Sequence, residues 1–244
     1  MDTHNKLQSQ RPQQIKRLFA ATISALIVLD IISFYWLEGV SNEDASLISS
    51  HIGLLHIVFT VLALIYVYRK INQQLIFCAL HDLNTNIFNR HAFHNLLTAE
   101  VARSQRYHRP LSLIVFDLDN FKQVNDTFNH AVGDKVLTVI SEKMHSLIRH
   151  SDYLCRIGGE EFAIIVPETQ SKDALVLAEK IRRTIEHADF KPVSHVTVSA
   201  GISELTPNMT FDDLLASACD ALKSAKHNGR NQVINKTPAI PSET

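Results

Sequence analysis

Residues 156–167 read RIGGEEFAIIVP, and they decide how the central part of the chain folds. Gly158 and Gly159 separate the apolar run FAIIVPE from the run YLCRI at residues 153–157. Glycines permit a sharp reversal of the backbone, so this pattern predicts two strands joined by a tight hairpin turn. A third run, LSLIVFDLD at residues 111–119, is short and apolar, and it predicts a buried strand.

The segments around these strands show the apolar spacing of helices. That spacing predicts helices at residues 90–107, 121–128, 133–148, 171–188 and 211–228, and strand patterns recur at residues 195–203 and 231–235. Strands that alternate with helices around a central hairpin favour an α/β sandwich, in which helices cover a central sheet.

Two apolar stretches precede this part of the chain. Residues 18–37, LFAATISALIVLDIISFYWL, are long enough to cross a membrane as a helix, and residues 47–68 form a second such stretch. The acidic segment GVSNEDAS at residues 39–46 is predicted as a short outer loop. A cleaved signal peptide is the competing interpretation, but the first stretch is too long and lacks a small-residue cleavage site.

Basic residues lie outside the two stretches and are absent from the loop between them: Arg11, Lys16, Arg17, Arg69 and Lys70. The positive-inside rule therefore predicts that both termini are cytoplasmic. Asp30, His51 and His56 are the polar exceptions within the stretches, and ionisable groups at membrane depth are functional candidates by default. An interfacial position or a neutral, hydrogen-bonded state explains the histidines equally well.

Composition excludes some classes of function. The formal net charge of -1 lacks the basic excess that is typical of nucleic-acid-binding proteins, so no nucleic-acid partner is expected. Cys78, Cys155 and Cys219 are far apart and form no metal-binding spacing. They are predicted to be free thiols in a reducing compartment.

Carboxylates end the first strand and begin the hairpin. Asp117 and Asp119 close the run LIVFDLD, and Glu160 and Glu161 follow directly on Gly159. Carboxylate oxygens are hard ligands suited to Mg²⁺, and together with a triphosphate they supply the parts for metal-assisted phosphoryl transfer. From these residues alone, an acidic hairpin without a function remains an alternative.

RIGGEEFAIIVP resembles the signature of the GGDEF-domain diguanylate cyclase family, in its GGEEF variant. The resemblance extends from residue 81 to residue 231, and the same order of motifs recurs in FDLDNFKQVNDTFNHAVGDKVL at 116–137, TVSAGIS at 197–203 and ALKSAKHNGRN at 221–231. It implies a palm-like α/β sandwich with a ferredoxin-like core. It also implies an enzyme that condenses two GTP into cyclic di-GMP and two pyrophosphate at the interface of a homodimer.

The resemblance also implies site residues. Asp117 and Glu160, with the Leu118 carbonyl, would bind Mg²⁺ or Mn²⁺, and these two carboxylates with Glu161 would be the catalytic groups. Glu161 would support a second metal ion or help deprotonate the attacking 3′-hydroxyl. Asn125 and Asp134 would read the guanine edge.

Backbone amides at a helix start would hold the phosphates, and two cations would neutralise their charge: Asn120, Phe121 and Lys122 for the first role, Lys226 and Arg230 for the second. Local alternatives exist, because Asp134 also suits the first turn of a helix and the two cations suit a helix C-terminus. Arg149 and Asp152 form an RxxD pair where the family places an inhibitory product site. A surface ion pair is the alternative for them.

DLNTNIFNR at residues 82–90 departs from the family pattern DxLTGLxNR, since Asn84 replaces a leucine and Asn86 a glycine. Asn129 replaces another glycine. We expect these changes to affect the packing and signal coupling of the N-terminal segment more than the chemistry.

The resulting organisation is that of a multi-pass protein of the bacterial inner membrane with a cytoplasmic catalytic domain. Its predicted parts are a cytoplasmic segment at 1–17, two membrane helices with their loop at 18–68, a connecting helix at 69–82, the GGDEF domain at 83–236 and a disordered tail at 237–244. A non-enzymatic cyclic di-GMP receptor and a membrane scaffold are the two rival functions.

Overall fold

The computed structural model describes residues 42–236 and six earlier helical residues, Ala21, Ser24, Ala25, Val28, Ile31 and Ile32. The predicted segments 1–17 and 237–244 lie outside the described residues, as does most of the first predicted span with Asp30. The chain divides into two units, Met1–Phe77 and Cys78–Thr244.

Helix α1, Asn42–Leu80, is longer than the second predicted span. We predicted a loop through residue 46, but the helix begins at Asn42. The helix then continues without a break to Leu80, two residues before the predicted end of the connecting helix. The side chains of His51 and His56 lie outside the described part of the chain.

One helical segment among the described residues, Gly53–Leu80, is long and apolar enough to cross a membrane, with a hydropathy of 1.7. We predicted two spans, of which the first falls largely outside the described residues. The apolar segment also ends later than the predicted residue 68, because LIFCAL at 75–80 restores hydrophobicity after Arg69 and Lys70.

The second unit contains five strands and five helices within the described residues. In chain order they are α2 (Arg90–Tyr107), β1 (Leu111–Leu118), α3 (Phe121–Phe128), α4 (His130–Leu147), β2 (Tyr153–Arg156), β3 (Glu161–Pro167), α5 (Ser171–Glu186), β4 (Val198–Glu204), α6 (Phe211–His227) and β5 (Val233–Asn235). Each predicted helix and strand is present, with ends that differ by up to three residues.

The strands form one mixed sheet in the order β2-β3-β1-β4-β5. β1 is antiparallel to both β3 and β4, and β5 pairs in parallel with β4. The first four strands give the connectivity and order of a ferredoxin-like core, as expected from the resemblance.

Both faces of the sheet are covered, which explains why β1 is buried along its whole length. Ile114, Phe116 and Leu118 point into a core with α4 and α5. Leu113 and Val115 alternate with them and pack into a second core with α2 and α6. The alternation follows from the two-residue period of a strand.

Two boundaries differ from the sequence prediction for local reasons. α4 begins at His130 instead of Gly133, because the Asn129 side chain caps it by accepting from Val132 N–H. β4 begins at Val198 instead of His195. Thr197 directs its carbonyl and its hydroxyl to Asp119, beyond the end of β1.

Candidate active site

The predicted acidic residues meet where β1 ends beside the hairpin turn. Asp117 lies opposite Glu161 in the antiparallel pairing of β1 with β3. The Leu118 N–H donates to the Glu160 carbonyl at 3.2 Å, which ties the turn to the end of β1. Opposed residues of antiparallel strands have neighbouring side chains, so the sheet itself brings the carboxylates together.

We call the point where the end of β1 meets the hairpin turn the acidic corner. Lys226 reaches this corner from the last turn of α6. Its Nζ lies 2.7 Å from Asp117 Oδ1, as an ion pair rather than a well-directed hydrogen bond. The Asp117 side chain is 7% exposed and that of Lys226 is 34% exposed. The structure therefore places Lys226, predicted to neutralise phosphate, directly against a predicted metal ligand.

The clustered charges alter two pKa values. Burial raises the pKa of Asp117, with Glu161 and Asp119 adding to the effect and Lys226 opposing it. Burial likewise raises the pKa of Glu160, helped by Asp117 and Glu161. The neighbouring carboxylates thus disfavour the ionisation of Asp117 and Glu160, and a cation beside these two groups relieves that repulsion.

A divalent cation fits these donors. Among the described residues no group of three or more His, Cys, Asp or Glu side chains is placed to hold a metal ion by itself. Mg²⁺, however, is usually held by one or two carboxylates and completed by substrate phosphates. Asp117 Oδ1, a buried acceptor whose close contact is the Lys226 ammonium, shows that the position attracts positive charge.

Gly158 makes room for Glu161. A Cβ added at Gly158 would lie 2.2 Å from Glu161 Oε2, whereas one added at Gly159 would meet no atom within 4 Å. The Ile157 N–H donates to the Glu161 carbonyl at 2.9 Å and closes the turn. A side chain at position 158 would therefore displace the Glu161 carboxylate from its present position.

The two residues predicted to recognise the guanine base lie on neighbouring helices. Asn125 is on α3 and Asp134 is in the first turn of α4. A Cβ at Gly133 would lie 2.0 Å from Asn125 Oδ1, so the missing side chain lets the amide rest beside the residue that precedes Asp134. The fold therefore brings these two polar side chains to one place.

The predicted phosphate-binding amides lie at the start of α3. Asn120 precedes the helix with a left-handed φ of 56°, and its side chain makes no capping hydrogen bond. The first-turn amides of a helix lack partners within the helix, so those of Asn120, Phe121 and Lys122 suit an anion. Arg230, exposed after α6, has a left-handed backbone with a φ of 63°.

Asp119 has a structural role that the sequence did not reveal. Its carboxylate accepts from the hydroxyls of Thr197 at 2.8 Å and Ser199 at 2.7 Å, and from Asn231 N–H at 3.0 Å. It is 7% exposed. Asp119 therefore ties the end of β1 to β4 and to the turn that carries Arg230, instead of facing the site.

The turn between α1 and α2 contacts the site at two points. Arg156 Nη1 lies 2.9 Å from Asp82 Oδ1, and its Nη2 donates to the Gly159 carbonyl at 2.7 Å. Asn84 Nδ2 donates to Asp134 Oδ1 at 3.0 Å. Sequence reasoning missed the contacts of Asp82 with Arg156 and of Asn84 with Asp134, because the paired residues lie 74 and 50 positions apart in the chain and carry no shared motif.

The other two departures from the family pattern occupy glycine-like backbone. Asn86 has a φ of 63° and Asn129 a φ of 76°. Asparagine enters the left-handed region more readily than most residues, which suits Asn86. Asn129 combines its φ with a ψ of 164°, a backbone that glycine adopts more easily than asparagine.

The RxxD residues lie in the turn between α4 and β2. Arg149 N–H donates to Asp152 Oδ2 at 2.9 Å, and Asp152 is 8% exposed while Arg149 is exposed. The contact runs from the backbone amide of Arg149, which leaves its guanidinium directed elsewhere. Asp152 therefore stabilises the turn.

All three cysteines are free, as predicted. Cys155 is buried, and burial raises the pKa of its thiol to about 12. That thiol is consequently a core side chain and not a nucleophile.

Comparison with known proteins agrees with this geometry. Residues 79–232 match the family described as diguanylate cyclase, GGDEF domain. The chain is 34% identical over 166 residues to the diguanylate cyclase DgcM of Escherichia coli, a match that covers 68% of this chain and 40% of that protein. A diguanylate cyclase of Vibrio cholerae is 38% identical over 165 residues, which are 67% of this chain and 51% of that protein.

Two solved structures resemble the fold. The coiled coil and GGDEF domain of DgcB from Caulobacter crescentus, solved in complex with c-di-GMP, has a TM-score of 0.72 and 28% identity, covering 75% of this chain and 99% of that one. The active GGEEF domain of a diguanylate cyclase from Vibrio cholerae has a TM-score of 0.58 and 36% identity, covering 60% and 96%.

The chain thus spans about half, or less, of the length of the two curated relatives. The family match nevertheless covers more than half of this chain and includes both the hairpin glutamates and Asp117. The chain belongs to the GGDEF-domain diguanylate cyclase family.

Proposed function

We propose that this protein is a diguanylate cyclase that condenses two GTP molecules into cyclic di-GMP and releases two pyrophosphates. The observation that carries the proposal is the convergence of Asp117, Glu160 and Glu161 at two adjacent strand ends. A helix start for phosphate and a pair of polar side chains for a base lie on the helices that follow β1.

In the proposed reaction, the 3′-oxygen of one GTP attacks the α-phosphorus of the other. The bond from that phosphorus to the bridging oxygen breaks, and pyrophosphate leaves with the bond electrons. A second, reciprocal attack closes the ring. Each domain holds one GTP, so two copies of the chain must meet, and the proposal requires a homodimer at least transiently.

Asp117 and Glu160, with the Leu118 carbonyl, would hold Mg²⁺ or Mn²⁺, and Lys226 would move from Asp117 to a phosphate as the cation arrives. A bound divalent ion stabilises the charge that develops on the phosphoryl oxygens. Glu161, exposed at the start of β3, would accept the 3′-hydroxyl proton or support a second ion. Arg230 would contribute further positive charge from the turn after α6.

The base would be read by Asn125 and Asp134. Guanine presents a ring N–H and an amino group that a carboxylate accepts, and an amide both donates and accepts. Amides of Asn120, Phe121 and Lys122 would bind the phosphates. This arrangement predicts a preference for GTP over ATP.

The test is turnover by the full-length protein in detergent, followed by chromatography of the nucleotides. We expect GTP with Mg²⁺ to give cyclic di-GMP and pyrophosphate in the ratio that two condensations require, and chelation of the metal to stop the reaction. Binding of cyclic di-GMP without any turnover of GTP would instead favour the receptor function.

We also propose feedback through Arg149 and Asp152. The exposed Arg149 guanidinium offers a forked set of donors to a phosphate or to a guanine edge, and Asp152 fixes the turn that presents it. Product bound at this turn would keep two domains from a productive encounter. Inhibition of this kind is a coupling between distinct sites.

The membrane location is the third part of the proposal. In the segment Gly53–Leu80, apolar side chains are exposed, among them Leu54 at 62% and Leu55 at 69%. A contiguous exposed apolar surface of this kind requires a partner, and lipid suits a helix of this length. With the first apolar stretch at 18–37, the proposal is an inner-membrane protein with two spans and a cytoplasmic cyclase domain.

A further inference from the structure

Asn84 contacts the proposed guanine reader, although the two residues are 50 positions apart. Its Nδ2 donates to Asp134 Oδ1 at 3.0 Å. Asn84 is half-buried and Asp134 is exposed. An exposed carboxylate in the first turn of a helix rotates freely unless a neighbour fixes it, and here the neighbour is the Asn84 amide.

Hydrogen bonds engage both the backbone N–H and the carbonyl of Asn84, so the position from which its side chain extends is fixed. The Asn84 N–H donates to Asp82 Oδ1 at 3.2 Å, and its carbonyl accepts from the Thr138 hydroxyl at 3.3 Å. The Thr138 hydroxyl also lies 3.0 Å from the Asp134 carbonyl. The Thr138 hydroxyl therefore lies between the carbonyls of Asn84 and Asp134 and shares its one proton between them.

The next residues continue this docking along the same face of α4. The Ser141 hydroxyl lies 3.4 Å from the Thr85 carbonyl and 2.8 Å from the Thr138 carbonyl of its own helix, and Asp82 accepts from Thr85 N–H at 2.9 Å. Residues 134, 138 and 141 share one face of the helix. The turn and the helix thus form one hydrogen-bonded unit, which fixes the distance that the Asn84 amide has to span.

The donated hydrogen bond leaves the carboxylate competent to bind a base. A carboxylate has about four acceptor positions, so a single donor on Oδ1 leaves Oδ2 and one position on Oδ1 for a ligand. Guanine offers two adjacent donors, its ring N–H and its 2-amino group. Leucine, the residue in the family pattern, has no donor, and it would leave the orientation of Asp134 to other contacts.

We propose that Asn84 is a positioning residue for base selectivity, which holds the Asp134 carboxylate in the orientation that accepts from the 2-amino group of guanine. The inference rests on the proposed function, because Asn84 would act on the same base-binding site through its contact with Asp134. It predicts that loss of the Asn84 amide weakens binding of GTP more than binding of ITP, whose base lacks the 2-amino group.

The experiment compares the full-length parent with Asn84→Ala and Asn84→Leu, using GTP and ITP as substrates. For both variants we expect the KM for GTP to rise by roughly three- to tenfold, the fold-change for one hydrogen bond, with kcat altered less than about twofold. The KM for ITP should change less, so the preference for GTP falls. Equilibrium binding of GTP and ITP to the same proteins measures selectivity independently of turnover.

Two controls separate positioning from a general weakening of the structure. Asn86→Gly changes the same turn at a position whose φ of 63° suits glycine, and Asn95→Ala removes an exposed amide from α2. Both should keep the parental preference for GTP over ITP. In an Asp134→Ala background, Asn84→Ala should add no further change, because its effect acts through the carboxylate.

The inference would be overturned if Asn84→Ala kept the parental preference for GTP over ITP. It would also be overturned if Asn84→Ala lowered that preference as much in the Asp134→Ala background as in the parent. In either case product formation by the parent would leave the proposed function standing. If the parent neither turned over nor bound guanine nucleotides, both proposals would fail together, which is a different and recognisable result.

Discussion

The carboxylate of Asp82 holds the turn before α2 against the hairpin. Its Oδ1 accepts from Thr85 N–H, from the Thr85 hydroxyl and from Arg156, all within 2.9 Å. Burial raises the pKa of Asp82, but the hydrogen bonds from Thr85 and the charge of Arg156 outweigh burial, and the net pKa lies below its ordinary value of 3.8.

Asp82→Asn should therefore destabilise the domain by about 1–3 kcal/mol near pH 7, the cost of weakening hydrogen bonds to a charged group. Because the folded pKa is depressed, this stabilisation is present above the ordinary pKa and is lost as pH falls through the lower, folded value. The difference between parent and variant should be constant above about pH 5 and shrink below about pH 4. Denaturant unfolding at several pH values measures it.

The matched control is Asp189→Asn, which removes a carboxylate from an exposed pair with Lys191. Its effect should be much smaller than that of Asp82→Asn, because solvent screens an exposed ion pair and leaves it little net contribution to stability. Equal losses in the two variants, or a difference for Asp82→Asn that does not vary with pH, would show that the charge of Asp82 has no special structural role.

At this scale the sequence predicted which carboxylates meet at the strand ends better than it predicted their other contacts. Asp117, Glu160 and Glu161 could be named because they end strands and follow glycines. The contact of Asn84 with Asp134 could not, because it depends on how a turn docks on α4 through backbone carbonyls that every residue has. Asp119 was expected to face the site, because nothing in the sequence indicated that Thr197 and Ser199 donate their hydroxyls to it.

Among the elements, α6 packs closest to the sheet over Gly201 of β4. A Cβ at Gly201 would lie 2.2 Å from the Ala218 carbonyl oxygen and 2.2 Å from Leu222 N. These are backbone atoms of the helix, so α6 as a whole would have to move. α6 carries Lys226, which couples this packing to the site.

Gly201→Ala should destabilise the domain by about 1–3 kcal/mol or more, the range for overpacking a core. Gly159→Ala is the control for stability, since an added Cβ there meets no atom within 4 Å. Thermal unfolding of both variants and of the parent measures the loss of stability. A Gly201→Ala protein as stable as the parent would mean that α6 shifts without cost.

The helices and strands of the second unit could be predicted from the spacing of apolar residues, because the sheet is covered on both faces and each helix has one apolar side. The predicted start of α1 was late, since an acidic segment that favours an extracytoplasmic loop also favours the first turn of a helix. The predicted start of β4 was early. The residues HVT have strand-like composition, but Thr197 forms its hydrogen bonds with Asp119, which lies beyond the end of β1.

For the whole molecule, the apolar stretches predict a topology. Alkaline phosphatase fused at Asn42 should be active and fusions after Lys70 should be inactive, because basic residues flank the two stretches and are absent between them. A cytoplasmic reporter at the same two positions should give the opposite pattern. Activity of alkaline phosphatase after Lys70 would place the cyclase domain outside the cytoplasm and exclude it from its substrate.

The proposed feedback is also tested on the whole molecule. Arg149→Ala should leave the initial rate of GTP turnover nearly unchanged and let more cyclic di-GMP accumulate before the rate falls. Arg149 is a cleaner test than Asp152, whose buried carboxylate holds the turn. Arg183→Ala removes a similarly exposed guanidinium on α5 and should be inhibited like the parent. Identical inhibition of parent and Arg149→Ala would remove the proposed product site.

The decisive measurement is conversion of GTP to cyclic di-GMP with Mg²⁺ by the parent, by Glu161→Gln and by Glu168→Gln. The two glutamates lie at opposite ends of β3, and both are exposed, so their loss should leave circular dichroism unchanged. We predict product from the parent and from Glu168→Gln, and a rate at least about 100-fold lower for Glu161→Gln, the usual cost of losing a group that supports charge or proton transfer. Turnover by Glu161→Gln within about twofold of the parent, or none by the parent, would contradict the assignment of this corner as the catalytic site.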